Sequence, residues 1–148
     1  MTTIYEKSLG AIAKGGSTSL VDVYEYAEPV IAKGFVVMDT PGYDPVSVTG
    51  MVAGGANVVV FTTGRGSVFG CKPVPSIKIA SNSTVYRHME DDMDVNAGVI
   101  LTEATPVEAV GRQIYEMILS VASGQPTKSE QSNMGEEEFS PWLVGPVL

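Results

Sequence analysis

One cysteine and one histidine in 148 residues leave little room for two common kinds of small-domain chemistry. A lone Cys71 excludes an internal disulfide framework and is compatible with a reducing compartment. With His88 as its only possible companion, no His/Cys cluster spells out a self-contained zinc site. Cations are also scarce. Lys and Arg number 9 against 17 Asp and Glu, a formal charge of −8, and nucleic acid is thereby disfavoured as a partner, since it calls for a basic stripe. No apolar run approaches the roughly 18–20 residues of a membrane span. The first residues, Met1 to Glu6, lack the basic-then-apolar order of a signal peptide. The expectation is a cytoplasmic chain with no membrane partner. What remains, 44% hydrophobic and 18% charged residues, is the composition of a folded domain, and 148 residues suffice for one core.

Glycine is the residue in excess: 16 of 148, above the roughly 7% of an average protein. The glycines cluster at Gly15-Gly16, Gly54-Gly55 and Gly64, Gly66, Gly70. Clustered glycine marks tight turns or close approach of backbone to a neighbour or a ligand.

Hydrophobic periodicity predicts an α/β fold. Thr3-x-x-Glu6 has the form of a capping box, with Leu9, Ile12 and Ala13 on one side of the helix that follows. Ser19-x-x-Asp22, with Leu20, Val23 and Tyr24, predicts a second short helix up to Ala27. Phe35–Met38 reads as a strand buried on both faces. Asp44-Pro45 opens a helix that Gly54-Gly55 closes, with Asp44 as its cap, and Val58–Phe61 makes the next strand. Strand, helix and strand predict a right-handed crossover between parallel neighbours. Ser76–Ala80 is a third strand, and Pro73 and Pro75 before it suit an edge or a strand start. Ser81-Asn82-Ser83 offers caps for a helix toward Met93. Thr105-Pro106-Val107-Glu108 opens the clearest helix, whose apolar period runs from Val107 to Val121 and stops at Gly124. The predicted architecture is a three-layer, Rossmann-like domain with a mainly parallel sheet flanked by helices. It divides into a helical N-terminal segment (1–30), an α/β core (34–124) and an extended tail (125–148), acidic at first and apolar around Phe139-Ser140-Pro141-Trp142. Such an ending suits docking on its own domain or on a partner.

Ligands of open parallel sheets bind beyond the C-terminal ends of the strands. Three such ends carry small polar residues: Asp39-Thr40-Pro41-Gly42, Thr62-Thr63-Gly64-Arg65-Gly66-Ser67 and Ser81-Asn82-Ser83. The second gathers hydroxyls, backbone N–H groups and a guanidinium, which binds a carboxylate through paired donors. An anion site and a crossover loop whose arginine pairs with one of the many acids both fit that stretch. It is no Walker loop, lacking a closing Gly-Lys-Ser/Thr, and the Gly64, Gly66, Gly70 spacing fails the dinucleotide fingerprint. Lys78, within an apolar strand, faces either solvent at a sheet edge or a polar cleft. Glu90-Asp91-Asp92-x-Asp94-x-Asn96 lacks the glycine and closing glutamate of a calcium loop and reads as a solvated acidic face. No G-x-S-x-G elbow supports a triad of Ser67 with His88, and Cys71 reads as a buried thiol.

Phe61-Thr62-Thr63-Gly64-Arg65-Gly66-Ser67, Pro75-x-Ile77-Lys78-Ile79-Ala80-x-Asn82 and Met93-Asp94-Val95-Asn96-Ala97-Gly98 resemble the C-terminal region of the altronate and galactarate dehydratase family. Thr2–Gly10 and Phe139–Trp142 are similar too, in the same order along the chain. The resemblance implies a hydro-lyase that removes water from a sugar acid to give a 2-keto-3-deoxy acid. The superfamily also includes the large subunit of sulfolactate sulfo-lyase, which expels sulfite. It implies a divalent metal, typically Fe(II), with ligands outside this chain and unassigned here. It also implies that the remaining domains or subunit of the same enzyme, often a homo-oligomer, are partners. Elimination beside a carboxylate needs a base, a stabiliser of enediolate charge and help for the leaving group. Under that reading Thr63, Arg65, Ser67, Asn82 and Thr40 bind a small anionic sugar acid, and Lys78 and Asp39 are the catalytic candidates. A non-catalytic assembly domain is the competing class, with the apolar tail serving docking.

Overall fold

Thr3 opens the chain as its sequence predicts. In the computed structural model, which describes residues 3–143, the Glu6 N–H donates to the Thr3 hydroxyl (3.2 Å) and the Thr3 N–H to the Glu6 carboxylate (2.8 Å). This exchange satisfies two amides otherwise orphaned at a helix start, and α1 runs Ile4–Lys14. Thr2 of the N-terminal motif and Val144–Leu148 of the expected tail lie outside the described residues. No residue of α1 is buried, so Leu9 and Ile12 stay uncovered.

The helix expected over Ser19–Ala27 is instead a strand, β1, Leu20–Tyr24. Leu20, Val23 and Tyr24 do sit at helical spacing. In the run Leu-Val-Asp-Val-Tyr, however, the β-branched and aromatic residues favour extended backbone once a partner strand is at hand. That partner is β2, Phe35–Met38, paired in parallel from Leu20↔Phe35 to Tyr24↔Met38. β2 stands where the sequence puts it but is not buried on both faces: Val37 is exposed and the other three are half-buried.

α2 spans Asp44–Ala53 and ends at Gly54. Tyr43, with no side-chain bond, holds the cap position; Asp44 is the first helical residue, its charge favourable at the positive end of the helix dipole. β3 (Val59–Thr63), β4 (Ser76–Ala80) and β5 (Val95–Asn96) form a second parallel sheet in the order β3-β4-β5. The predicted crossover therefore joins two sheets, with no ladder between β2 and β3. α2 bridges them: Val48 packs with Val59, Phe69 and Cys71, and Gly54 abuts the Met38 side chain. The architecture is α/β, two small parallel sheets flanked by helices.

β4 is a central strand, not an edge, and all five of its residues are buried. Pro73 and Pro75 precede it, where a missing N–H costs no ladder bond. Ile77 and Ile79 join Val95 on one face under Val121 and Ile114 of α5, Val107–Ala122. Alternation puts Lys78 on the opposite face. α5 carries its predicted period, although Pro106 rather than Thr105 sits at its cap. α3 (Ser83–His88) is shorter than expected, with His88 exposed in its last turn. α4 (Val99–Thr102) and α6 (Lys128–Gln131) were not foreseen, although Thr127-x-x-Glu130 is a second capping box in plain sequence. The tail docks on its own domain as far as it is described. Thr127 and Ser129 are buried, the Ser140 N–H donates to Thr49 Oγ1 (3.0 Å), and Trp142 meets Tyr26 edge-on with ring centroids 5.3 Å apart. Among the described residues no helix is long and apolar enough to cross a membrane.

Candidate functional site

Register aligns three strand ends. Thr63 pairs with Ala80 and Ala80 with Asn96, so the loops after β3, β4 and β5 leave the sheet at one rim. The first loop turns on Thr63, whose Oγ1 accepts the Gly66 N–H (3.1 Å) and the Arg65 N–H (3.3 Å). Asn82 ties it to the second: its Oδ1 caps α3 by accepting the Val85 N–H (2.9 Å), and its Nδ2 donates to the Gly64 carbonyl (2.9 Å). The third is pressed against the second so closely that a β-carbon on Gly98 would lie 2.1 Å from the Ser83 nitrogen. Only glycine fits that approach. Asn96 completes the join, its Oδ1 accepting the Gly98 N–H (3.0 Å) and its Nδ2 donating to Ser83 Oγ (3.2 Å).

Arg65 projects from this rim exposed, and among the described residues it makes no ion pair. Ser67 is half-buried beside it; its Oγ accepts the Phe69 N–H (3.1 Å). Beneath the loop lies Lys78. Its side chain is 0% exposed, its ammonium donating to the Ser67 carbonyl (3.2 Å) with Asp92 Oδ1 at 3.8 Å. A solvated edge position is thus overturned, because loop 64–71 and the acids after α3 close over that face. Burial pushes the Lys78 pKa down, and Asp92, Asp94 and Glu138 act against that shift. The acidic stretch is a solvated face only at Glu90 and Asp91, which are exposed; Asp92 and Asp94 turn inward. Asp92 fronts Lys78, while Asp94 accepts the Lys78 N–H through Oδ2 (2.7 Å) and the Lys128 N–H through Oδ1 (2.9 Å).

The rim gathers Thr63, Arg65, Ser67 and Asn82, with Lys78 under it. Asp39 and Thr40 belong elsewhere, after β2 in the other sheet. The Asp39 N–H continues that ladder to the Tyr24 carbonyl (2.8 Å), and the Thr40 and Ser47 hydroxyls share a hydrogen bond (2.8 Å). A cavity of about 340 Å³ opens beside them, lined by Pro41, Tyr43, Val46 and Trp142. Glu138 and Asp94 were not singled out as functional from the sequence. Asp94 lies inside a matching motif, but nothing local marks either carboxylate as a clamp on backbone N–H groups. Cys71 is buried as expected, and burial pushes its thiol pKa up. The divalent metal that the resemblance implies finds no ligand set: among the described residues no three His, Cys, Asp or Glu side chains gather to hold an ion.

Comparison with known proteins agrees with the resemblance. The chain is 40% identical over 125 residues to galactarate dehydratase (L-threo-forming) of Escherichia coli (strain K12), covering 84% of this chain and 24% of that protein. It is 35% identical over 136 residues to altronate dehydratase of Bacillus subtilis (strain 168), covering 92% and 27%. It is also 35% identical over 140 residues to (2R)-sulfolactate sulfo-lyase subunit beta of Chromohalobacter salexigens, covering 94% and 36%. The chain thus spans about a quarter of the length of the two dehydratases. Residues 1–147 match the family described as D-galactarate/altronate dehydratase, C-terminal, and the chain belongs to that family.

Proposed function

We propose that this chain is the C-terminal part of a hydro-lyase that dehydrates a sugar acid of the altronate or galactarate type, and that its loop 63–67 holds the substrate carboxylate. The observation that carries this reading is the exposed Arg65, without an ion pair among the described residues, on a loop that Asn82 welds to its neighbour. A guanidinium with paired donors suits a carboxylate, while the Arg65 and Gly66 N–H groups, held by Thr63, shape the loop that presents it. Thr63 and Ser67 present hydroxyls beside it. Asn82 keeps one amide hydrogen beyond its bond to Gly64 with which to meet a substrate hydroxyl.

In such a reaction a base takes the proton beside the carboxylate, negative charge grows on the carboxylate oxygens, and hydroxide leaves from the adjacent carbon with a proton as water. The enol then tautomerises to the 2-keto-3-deoxy acid. Arg65 is placed to stabilise the growing charge. Lys78, closed off from solvent, serves the same end by holding the Ser67 carbonyl and so the loop's shape. Asp39 and Thr40 take part only where further parts of the enzyme bring the end of β2 toward the substrate. Those parts, we further propose, cover the exposed apolar side of α1, β1 and β2 and complete a Rossmann-like layered core, since the dehydratases matched are about three and a half times as long as this chain.

Turnover of galactarate, altronate and sulfolactate by the enzyme containing this segment tests the reading. Arg65→Ala should lower kcat/KM for the preferred acid about 100-fold or more; near-normal kinetics would remove the carboxylate role. Preference for sulfolactate would transfer the same loop to sulfite elimination. A chain that never binds any of these acids, yet captures the rest of its enzyme, is an assembly module.

A further inference from the structure

Residues 133–138 of the tail press against the root of the Arg65 loop. Glu138 Oε2 accepts the N–H groups of Gly70 (2.6 Å) and Cys71 (2.8 Å), and the Lys72 N–H donates to the Gly135 carbonyl (3.1 Å). The two backbones run so near each other that a β-carbon on Gly70 would lie 2.9 Å from the Met134 carbonyl oxygen, and one on Gly135 2.7 Å from the Cys71 nitrogen. Lys72 adds an ion pair with Glu136 at the surface. From inside, Lys78 holds the Ser67 carbonyl. The stretch from Ser67 to Cys71 is therefore gripped at both ends, by a buried ammonium and by a carboxylate that the tail delivers.

We propose that Glu138 is a positioning residue for the carboxylate-binding loop: by clamping Gly70 and Cys71 it makes a docked tail a condition for holding the anion. The proposal rests on the role given above to Arg65. A carboxylate that accepts two amide N–H groups makes charge-assisted bonds, stronger than neutral ones. A glycine-rich loop released from them regains conformational freedom, which an anion must then remove in order to bind. Glu138 is also among the acids that favour the charged form of Lys78, so clamp and ammonium reinforce each other.

Amide hydrogen exchange and titrations of galactarate, altronate and sulfolactate, on the enzyme containing this segment, test this. Glu138→Ala should speed exchange at Gly66 and Phe69, whose N–H groups are hydrogen-bonded within the loop, about tenfold or more, leave Ile77 and Ile79 protected, and weaken binding of the preferred acid about tenfold. Glu138→Gln keeps an oxygen acceptor without the charge. It should show an intermediate loss of about threefold in both, and it decides the matter alone should the alanine variant not fold. Glu137→Gln, at an exposed neighbour, should change neither. Faster exchange confined to Gly70 and Cys71, with affinity unchanged, would overturn the proposal. An enzyme that binds none of galactarate, altronate and sulfolactate while Glu138→Ala still loosens Gly66 and Phe69 would sink the carboxylate reading and leave the clamp standing.

Discussion

β1 and β4 are both five-residue parallel strands, yet β4 is buried along its whole length and β1 only at Tyr24. β4 has a strand on either side, α5 against one face, and the Arg65 loop over the other. β1 has one partner strand, and no residue of the preceding helix, α1, is buried. Parallel sheets are ordinarily covered on both faces, so the two halves differ in how much of their cover this chain itself supplies. The β3–β4–β5 half is finished and carries a polar rim. The β1–β2 half leaves Leu20, Val21 and Val23 exposed, together with Ile4, Tyr5, Leu9 and Ile12 of α1.

Truncation in each half is the strongest way to break that comparison. Ile77→Ala opens a hole between β4 and α5 and should cost about 2–5 kcal/mol in urea melts of the chain. Val23→Ala removes a side chain already in water and should cost about 0.5 kcal/mol or less. Equal losses would mean that the β1–β2 half is packed in solution after all.

Lys78 sharpens the comparison by an intermediate effect. Lys78→Met fills the space but leaves the Ser67 carbonyl unpaired, which should cost about 1–3 kcal/mol. Its pH dependence is more telling. Burial holds the Lys78 pKa below its ordinary 10.5 in the folded chain, so the folded state releases this proton before the unfolded state does. Between the lowered value and 10.5 the unfolded chain binds more protons, and the Lys78 contribution to stability rises with pH across that window. Subtracting the stability profile of Lys78→Met from the wild-type profile removes the other titrating groups. The difference should grow toward pH 10; a flat difference would show an ammonium as well solvated as in the unfolded chain.

Local signals in the sequence carried the finished half better than the open one. Ser76–Ala80 and the period from Val107 to Val121 state their own structure, because burial and amphipathicity repeat at a fixed step. Residues 20–24 do not: five residues satisfy helical and extended patterns alike, and the pairing with β2 that decides between them depends on a strand starting at Phe35. The site divides in the same way. Thr63, Arg65, Ser67 and Asn82 are legible as a strand end followed by small polar residues and a cation. The burial of Lys78 is not, since it takes Ser67 and Asp92 from separate stretches, and no spacing within β4 records which face they cover. Asp39 and Thr40 were grouped with the rim on the assumption of one sheet. Two sheets separate them.

Arg65 and Lys78 are the two cations of the candidate site, and they divide its labour: one exposed and without an ion pair among the described residues, the other buried and holding a carbonyl. The smallest expected change in stability therefore belongs to Arg65. Arg65→Ala and Arg65→Lys should each leave the urea midpoint within about 0.5 kcal/mol of wild type, as surface substitutions away from packing do. Galactarate binding should nevertheless weaken in both. Lysine keeps the charge but replaces a planar fork of donors with a point charge on a flexible stem, so it cannot reproduce a two-point grip on a carboxylate. An isothermal titration in which Arg65→Lys binds as well as wild type would reduce Arg65 to a source of positive potential. A loss of stability on Arg65→Ala comparable to that of Lys78→Met would instead show that Arg65 is bound to the protein, and the division between a holding and a binding cation would fail.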